Sequence, residues 1–351
     1  MNIPHKILVL RFSSIGDIVL SSPLLRCLRS SFPHSQIDYV TRKEYADLVR
    51  FNQNLNYTYE FDADTGLPGL HALRRKIRRE SYDLFVDIHG SLRSRYIRAF
   101  PGSAAVAVVN KHERERAFLI KTKKDIYKGI VPVSARYLEA VAPLGVTDDG
   151  KGTELHIPDE IQFGISGKMA ALRLNQFETV VGLCPSARHA TKRWPLERYA
   201  ELGIQLARTS KAKVILFGGS ADVATCSAVA ERIGEQVGKE QVTNFGGQLA
   251  LLETASAMDY CDVVVTNDSG LMHIADARQR NLVAIFGSTV RQFGFFPQGS
   301  NSVVIENTGL YCRPCSHVGR PSCPEGHFRC MVDITVDEVL RNTAQLLARG
   351  R

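Results

Sequence analysis

The chain has 351 residues, of which 44% are hydrophobic and 23% are charged. This composition is typical of a globular protein with two ordinary domains and excludes a disordered chain. No apolar run approaches the ~20 residues that a membrane span needs, and the first residues lack the long apolar segment and cleavage site of a signal peptide. We therefore expect a cytoplasmic protein.

The net charge of +8 is unevenly distributed. Residues 1–150 carry 23 Lys/Arg and 16 Asp/Glu, a net charge of +7. Residues 151–351 carry the remaining 21 Lys/Arg and 20 Asp/Glu, a net charge of +1. A basic half favours a polyanionic partner such as nucleic acid, an anionic membrane or a phosphorylated glycolipid. Solvated helix faces explain such clusters equally well. No recognised nucleic-acid motif occurs, so we expect no nucleic-acid partner.

The N-terminal half alternates strand-like apolar runs with longer amphipathic segments. The runs lie at 6–10, 37–41, 84–88 and 104–109, and helical patterns follow residue 14 and span 45–50 and 70–79. Strands separated by helices pair in parallel through right-handed crossovers. These residues predict a doubly wound, Rossmann-like lobe.

A polar, glycine-rich stretch at 147–152 interrupts this alternation, which then restarts. Strand patterns recur at 179–184, 213–217, 263–266 and 282–286, with helical patterns at 196–209, 221–233 and 270–277. We predict an N-terminal lobe at 1–155, a linker at 156–176 and a C-terminal lobe at 177–351. The C-terminal lobe includes a cysteine-rich loop at 311–331 and a last helix expected to pack back on the N-terminal lobe. Ligands bind beyond the carboxyl ends of parallel strands, which predicts a cleft between the lobes.

The first candidate site is the segment SSIGD at 13–17, directly after the first strand. We expect Gly16 to allow a sharp turn close to a ligand, and Asp17 to face that ligand from the first helical turn. A carboxylate at this position also simply complements the helix dipole. Neither GxGxxG nor GxxxxGK[ST] is present at this turn, which argues against a dinucleotide or nucleoside-triphosphate loop.

Polar clusters follow three strands of the C-terminal half. In NDSGLMH at 267–273, Asp268 or Ser269 caps a helix whose unpaired N–H groups would bind an anion. Lys192 or Arg193, in the basic loop at 185–195, could neutralise a departing phosphate. Asp222 could accept hydrogen bonds from a ribose. A plain helix cap or a solvated basic loop is the structural alternative in each case.

Taken in order, these segments resemble glycosyltransferase family 9, the heptosyltransferases of lipopolysaccharide core synthesis. The matching segments are RFSSIGDIVLSSP at 11–23, DIHGSLRS at 87–94, KRWP at 192–195, FGGSAD at 217–222 and NDSGLMHIA at 267–275. The resemblance implies the GT-B architecture, two Rossmann-like lobes facing a central cleft. It also implies an inverting enzyme that needs neither cofactor nor catalytic metal. The reaction expected is transfer of heptose from ADP-L-glycero-D-manno-heptose to a phosphorylated or Kdo-containing lipid A acceptor.

The resemblance also assigns roles to residues. Asp17 matches the general base. The residues expected to bind the donor are Ser186, Lys192, Asp222, Asp268, Ser269, Gly270, Leu271 and His273. Those expected to bind the acceptor are Arg11, Ser14, Gly16, His89, Arg93, Arg114 and Arg116. His89 stands where many relatives have Gln.

A cysteine cluster precedes the C-terminus, at Cys312, Cys315, Cys323 and Cys330. Four thiolates in a Pro/Gly-rich loop are one way to hold a structural zinc ion. A disulfide or free thiols are the alternatives.

The basic residues at 74–79 and 121–124 fit contact with an anionic membrane surface, where each contributes ~1 kcal/mol. This predicts a cytoplasmic protein bound peripherally to the inner membrane. Two other functions remain open. One is another two-lobed enzyme, either a transferase using a different nucleotide sugar for another cell-surface glycan or a nucleotide-sugar epimerase. The other is a non-catalytic nucleotide or nucleic-acid binder.

Overall fold

A computed structural model describes residues 3–99 and 104–349. The chain divides into two units, the first formed by Met1–Glu113 and Val131–His156 and the second by Arg114–Ile130 and Ile157–Arg351. The first unit ends one residue after the predicted lobe at 1–155. Residues 114–130, however, belong to the second unit, which the sequence did not indicate.

The first unit is built on a five-stranded sheet of order β3-β2-β1-β4-β5 in which every pairing is parallel. Its strands are β1 Lys6–Leu10, β2 Gln36–Arg42, β3 Tyr57–Phe61, β4 Leu84–Asp87 and β5 Ala105–Val108. The helices up to the end of this unit are α1 Ile15–Val19, α2 Ser22–Ser31, α3 Asp47–Arg50, α4 Gly66–Arg79, α5 Leu92–Arg98, α6 Glu113–Thr122 and α7 Val133–Glu139. The predicted doubly wound lobe is confirmed, with β3 as an additional edge strand.

The second unit carries a six-stranded sheet of order β11-β10-β9-β6-β7-β8, again with parallel pairings. Its strands are β6 Thr179–Cys184, β7 Ala212–Leu216, β8 Val242–Asn244, β9 Val263–Asn267, β10 Leu282–Phe286 and β11 Ser302–Glu306. The helices from residue 157 onward are α8 Asp159–Ala170, α9 Leu196–Thr209, α10 Val223–Val237, α11 Leu251–Met258, α12 Gly270–Ala277, α13 Arg329–Val332 and α14 Val336–Arg349.

Two segments differ from their predicted use. The predicted linker at 156–176 contains helix α8, which packs against α11 and is therefore part of the second unit. The last helix, α14, packs against α9, β9 and β10, and its Val339 and Leu346 are buried in that core. The apolar face that we expected to lie on the N-terminal lobe is thus used within the second unit. Among the described residues, no helix has the length and apolar character needed to cross a bilayer.

Each sheet has one point where the strand order reverses. In the first sheet it lies between β1 and β4, and in the second between β6 and β9. The neighbouring loops leave in opposite directions there, which opens a crevice at the carboxyl ends of the two strands. The apolar residues of β1, β6 and β9 are buried, as expected for central strands covered on both faces. The described strands of each unit therefore place a crevice at the switch point of their sheet.

Candidate active site

The crevice of the first unit contains a buried ion pair. Arg11 directly follows β1 and Asp17 lies in the first turn of α1, with 2.5 Å between Arg11 Nη2 and Asp17 Oδ1. Arg11 Nη1 also donates to the carbonyl oxygen of Ile88 at 2.7 Å. The other carboxylate oxygen of Asp17, Oδ2, accepts from the Ser14 hydroxyl at 2.8 Å and from the Ser14 backbone N–H at 3.2 Å. The side chains of Arg11 and Asp17 are 10% and 14% exposed.

These contacts keep Asp17 ionised. Burial opposes the charged form, but the Arg11 charge and the Ser14 hydrogen bonds outweigh it and lower the pKa of Asp17. The phenol of Tyr137, on α7, donates to Asp17 Oδ1 at 3.3 Å. Burial raises the pKa of Tyr137 well above its ordinary value, so this phenol stays a donor. The crevice therefore presents a fixed carboxylate at neutral pH.

The loop after β4 brings His89 to the same crevice. The buried Asp87 shapes this loop by accepting from the backbone N–H of Gly90 at 2.7 Å and of His89 at 3.1 Å. Burial, together with the nearby charges of Arg11 and Lys111, lowers the pKa of His89 to about 3. Among the described residues no hydrogen-bond partner reaches the buried Nδ1 of His89. His89 is therefore a neutral imidazole whose buried Nδ1 has no hydrogen-bond partner among the described residues.

Lys111 adds a second cation to this crevice. A Cβ on Gly90 would come within 3.1 Å of Lys111 Cε and 3.3 Å of Nζ, so the lysine side chain lies directly over the glycine backbone. Gly90 also has a φ of +56°, which favours glycine. Burial and the Arg11 charge lower the pKa of Lys111. Within the described residues, no carboxylate forms an ion pair with its ammonium group.

The local structure at two predicted acceptor residues differs from what we expected, and their binding of an acceptor stays a prediction. Gly16 lies inside α1 and does not have a positive φ, so it does not provide the sharp turn we expected. Ser14, the residue before the helix, makes the turn into α1 instead. Arg93 is exposed and lines a separate groove between α4 and α5. No hydrogen bond or ion pair of the described residues joins Arg93 to Asp17.

The crevice of the second unit contains another ion pair. Lys192 follows β6 and Asp268 follows β9, with 2.7 Å between Lys192 Nζ and Asp268 Oδ2. Thr289, in the loop after β10, donates to the same oxygen at 2.6 Å. Asp268 is buried and Lys192 is half-buried. The structure thus brings together Lys192 and Asp268, two of the predicted donor residues.

Asn267, the last residue of β9, fixes the position of the loop that follows β6. Its side-chain oxygen accepts from the backbone N–H of Trp194 at 3.0 Å, and its side-chain nitrogen donates to the carbonyl oxygen of Pro185 at 3.0 Å. Trp194 is itself buried and donates through Nε1 to the carbonyl oxygen of Ile334 at 2.9 Å. The tryptophan in the basic loop is therefore a core residue that anchors the loop.

The remaining donor predictions lie along the same sheet edge. Ser269 is the N-cap of α12, which begins at Gly270, and the next residues include Leu271 and the buried His273. The His273 ring makes an edge contact with Phe295, with 6.3 Å between centroids. Ser186 is buried in the loop after β6. Asp222 follows β7 and accepts from the backbone N–H of Gly219 at 2.9 Å. This is the helix cap that we named as the alternative to ribose binding. Their contact with a donor stays a prediction.

Arg114 and Arg116 lie on helix α6 and belong to the second unit, outside the lobe for which we predicted them. Arg114 is exposed. Arg116 Nη1 lies 3.5 Å from His317 Nε2. In the segment that follows α6, Lys123 Nζ donates to the carbonyl oxygen of Pro314 at 2.6 Å. Their binding of an acceptor stays a prediction.

The four clustered cysteines form no disulfide and no assembled thiolate cage. Cys312 Sγ lies 3.8 Å from His327 Nε2, and Cys315 Sγ lies 3.5 Å from the Cys312 carbonyl oxygen. Within the described residues, no three of the four sulfurs lie within 4.8 Å of one another. A structural zinc site needs four ligands around one ion at ~2.3 Å, and zinc here stays a prediction for metal analysis.

Comparison with protein families identifies the chain. Residues 70–324 match the model of glycosyltransferase family 9 (heptosyltransferase). The chain belongs to glycosyltransferase family 9. The match covers β4 and β5 of the first sheet and all six strands of the second, including the loops that carry His89, Lys192 and Asp268.

Individual family 9 relatives resemble this chain over its whole length. Lipooligosaccharide heptosyltransferase 2 of Haemophilus influenzae is 26% identical, covering 98% of this chain and 99% of that protein. Among solved structures, the family 9 glycosyltransferase of Veillonella parvula has a TM-score of 0.82 at 23% identity, with 99% of each chain covered. Escherichia coli ADP-heptose lps heptosyltransferase II has a TM-score of 0.73 at 23% identity, with 98% and 99% covered. The GT-B fold that the sequence implied is confirmed.

Several residues of this family 9 chain that shape the two crevices were not expected from the sequence. Asp87 and Asn267 stand inside segments that carried the resemblance, so their positions were a usable signal. Lys111 and Tyr137 lie in no such segment. They reach the first crevice only because β5 and α7 bring them there.

Proposed function

We propose that this chain transfers heptose from ADP-L-glycero-D-manno-heptose to the inner core of lipopolysaccharide. Membership of family 9 and full-length similarity to heptosyltransferases support this donor and acceptor. The observation that carries the catalytic part is Asp17, a carboxylate held in place by Arg11 and Ser14 at the switch point of the first sheet.

In this proposal Asp17 is the general base. It accepts the proton of the acceptor hydroxyl while that oxygen attacks the anomeric carbon of heptose. The bond from the anomeric carbon to the diphosphate oxygen breaks on the opposite face, so the anomeric configuration inverts and ADP leaves. General-base catalysis contributes roughly 10²–10⁴-fold to rate. Arg11 and Ser14 position the carboxylate, and Tyr137 restricts its rotation.

The second crevice stabilises the leaving ADP. An ammonium group has three N–H donors, and Asp268 accepts one from Lys192, which leaves two for the diphosphate. Helix α12 begins beside this pair, and its first N–H groups attract an anion. A fixed cation and helix N–H groups do the work that a metal ion does in other transferases. We therefore propose metal-independent transfer.

The first crevice also suits an anionic acceptor. Lys111 forms no ion pair with a carboxylate among the described residues, and burial together with the Arg11 charge lowers its pKa, so an added negative charge would be favourable there. A phosphate or carboxylate on the inner core would be the negatively charged group that pairs with the Lys111 ammonium group. This argument for an anionic acceptor does not use Arg93, which lines a separate groove.

Because the acceptor is a lipid, we propose that the protein works at the cytoplasmic face of the inner membrane. Helix α4 carries exposed Arg75, Lys76, Arg78 and Arg79, which would meet anionic headgroups. In the segment 121–124, Lys123 is already bonded to the carbonyl of Pro314 and contributes less.

The test is incubation of the purified protein with ADP-heptose and truncated core lipid, followed by mass analysis. We expect one added heptose, no loss of activity in chelator and the inverted anomeric configuration by NMR. Asp17→Asn keeps the carbonyl acceptor for Ser14 and should lose at least about 10²-fold in kcat. Transfer only from a UDP- or GDP-linked sugar would replace this function with that of another GT-B enzyme.

A further inference from the structure

The two helices on one side of the first sheet leave an apolar groove of about 570 Å³ between them. Leu67, Pro68 and Leu70 of α4 form one wall, and Leu92 and Tyr96 of α5 form the other. The Tyr96 hydroxyl is bonded to His71 Nδ1 at 2.7 Å, which fixes the ring at the groove wall. The groove does not include Arg11 or Asp17.

The rim of this groove exposes two leucines. The apolar face of α4 buries Leu70, Leu73 and Ile77 in the core, but Leu67, one turn earlier, is 79% exposed. Leu92, the first residue of α5, is 83% exposed. An apolar groove with two protruding leucines is more than scattered surface hydrophobicity and indicates an interaction site.

The charge on these two helices is of one sign. Helix α4 has five Arg or Lys residues and α5 has three, and neither helix contains Asp or Glu. Arg93 lines the groove itself, and Arg74 lies 4.4 Å from the centre of the Tyr96 ring. Arg75 and Arg95 are exposed on the same two helices. Asp62 and Asp64 precede α4, but the charged residues of the two helices themselves are all cations. An apolar groove between two such helices complements an apolar layer beneath anionic headgroups.

Resting on the proposed function, we propose that this α4–α5 groove is the surface that inserts into an anionic lipid bilayer. Leu67 and Leu92 enter the boundary between headgroups and acyl chains, and Arg75, Arg93 and Arg95 bind lipid phosphates. The first unit, which holds the acceptor crevice, is thereby held at the membrane that contains the acceptor.

The experiment compares the full-length wild-type protein with the double variant Leu67→Ser/Leu92→Ser by co-sedimentation with vesicles. One set of vesicles contains phosphatidylglycerol and phosphatidylcholine in equal parts, and the other contains phosphatidylcholine alone. The matched control is Phe163→Ser, which removes a side chain that is 81% exposed on α8 of the second unit. Far-UV circular dichroism and activity on a soluble, delipidated acceptor check that each variant is folded.

We expect the double variant to bind the mixed vesicles at least about tenfold more weakly than wild type, because each leucine loses its burial in lipid. Phe163→Ser should bind like wild type, and wild type should bind phosphatidylcholine vesicles less than mixed ones. Transfer to a vesicle-embedded acceptor should fall in parallel, with transfer to the soluble acceptor unchanged.

Equal binding of the double variant and wild type to mixed vesicles would overturn the proposal, as would wild-type binding that ignores anionic lipid. Failure of the proposed function looks different. In that case the wild-type protein adds no heptose to the soluble acceptor, whatever the vesicles show.

Discussion

Replacing Arg11 by Met tests whether the Arg11–Asp17 pair organises the first crevice. The change removes the ion pair at 2.5 Å and the hydrogen bond to the Ile88 carbonyl, and leaves the Asp17 charge without its main partner. Breaking a buried pair destabilises a protein by about 3–5 kcal/mol. Because both side chains keep some contact with water, we expect the lower end, about 3 kcal/mol.

Asp17→Asn completes a double-mutant cycle. With Met at 11 and Asn at 17 neither charge remains, so the double variant should lose about 1–3 kcal/mol less than the sum of the single variants. The assay is guanidinium chloride unfolding at pH 7, followed by far-UV circular dichroism. Arg75→Met, which removes an exposed arginine, is the matched control and should stay within about 0.5 kcal/mol of wild type. A loss below about 1 kcal/mol for Arg11→Met, or additive single changes, would mean that the pair behaves like a surface salt bridge.

Three further changes test other parts of the two crevices. Lys192→Met should lower kcat by about 10²–10³-fold with little change in the acceptor KM, measured by ADP release, because it removes charge from the leaving diphosphate. Lys111→Met should raise the KM for a phosphorylated acceptor about tenfold or more, and an equal effect on the dephosphorylated acceptor would contradict an anion-binding role. Asn267→Ala should destabilise the protein by at least about 2 kcal/mol in chemical unfolding, because the Trp194 N–H and the Pro185 carbonyl lose their partner.

The sequence predicted the central strands well because a strand covered on both faces must be apolar throughout. KILVL at 6–10 and LVAIF at 282–286 are such runs, and the structure has β1 and β10 there. The strands that were missed, β3, β8 and β11, lie at sheet edges or are only three residues long. An edge strand such as Tyr57–Phe61 alternates polar and apolar residues and is easily mistaken for a loop.

The sequence also located the residues that follow central strands, since those loops must meet at one edge of the sheet. Asp17 follows β1, and Lys192 and Asp268 follow β6 and β9. It could not locate Lys111, whose contact with Gly90 depends on how β4 and β5 pair. Nor could it assign residues 114–130 to the second unit, because a chain that changes unit and returns leaves no periodic signal.

The acid side of the pH–rate profile distinguishes the roles of Asp17 and His89. A general base works only when ionised, so activity falls as pH falls through the pKa of Asp17. The Arg11 charge and the Ser14 hydrogen bonds lower that pKa, which places the loss of activity below the ordinary aspartate value of about 3.9. His89, with a pKa of about 3, stays neutral and adds no step near 6.5.

We therefore expect kcat/KM to be flat on its acid side between about pH 5 and 7, in His89→Gln as in wild type. In Arg11→Met the cation is lost while burial remains, so the pKa of Asp17 rises and the acid limb moves to higher pH. The measurement is kcat/KM for a soluble acceptor against pH in all three proteins. A wild-type limb near pH 6.5 that disappears in His89→Gln would show that His89 titrates during catalysis, and would transfer the role of base from Asp17 to the imidazole.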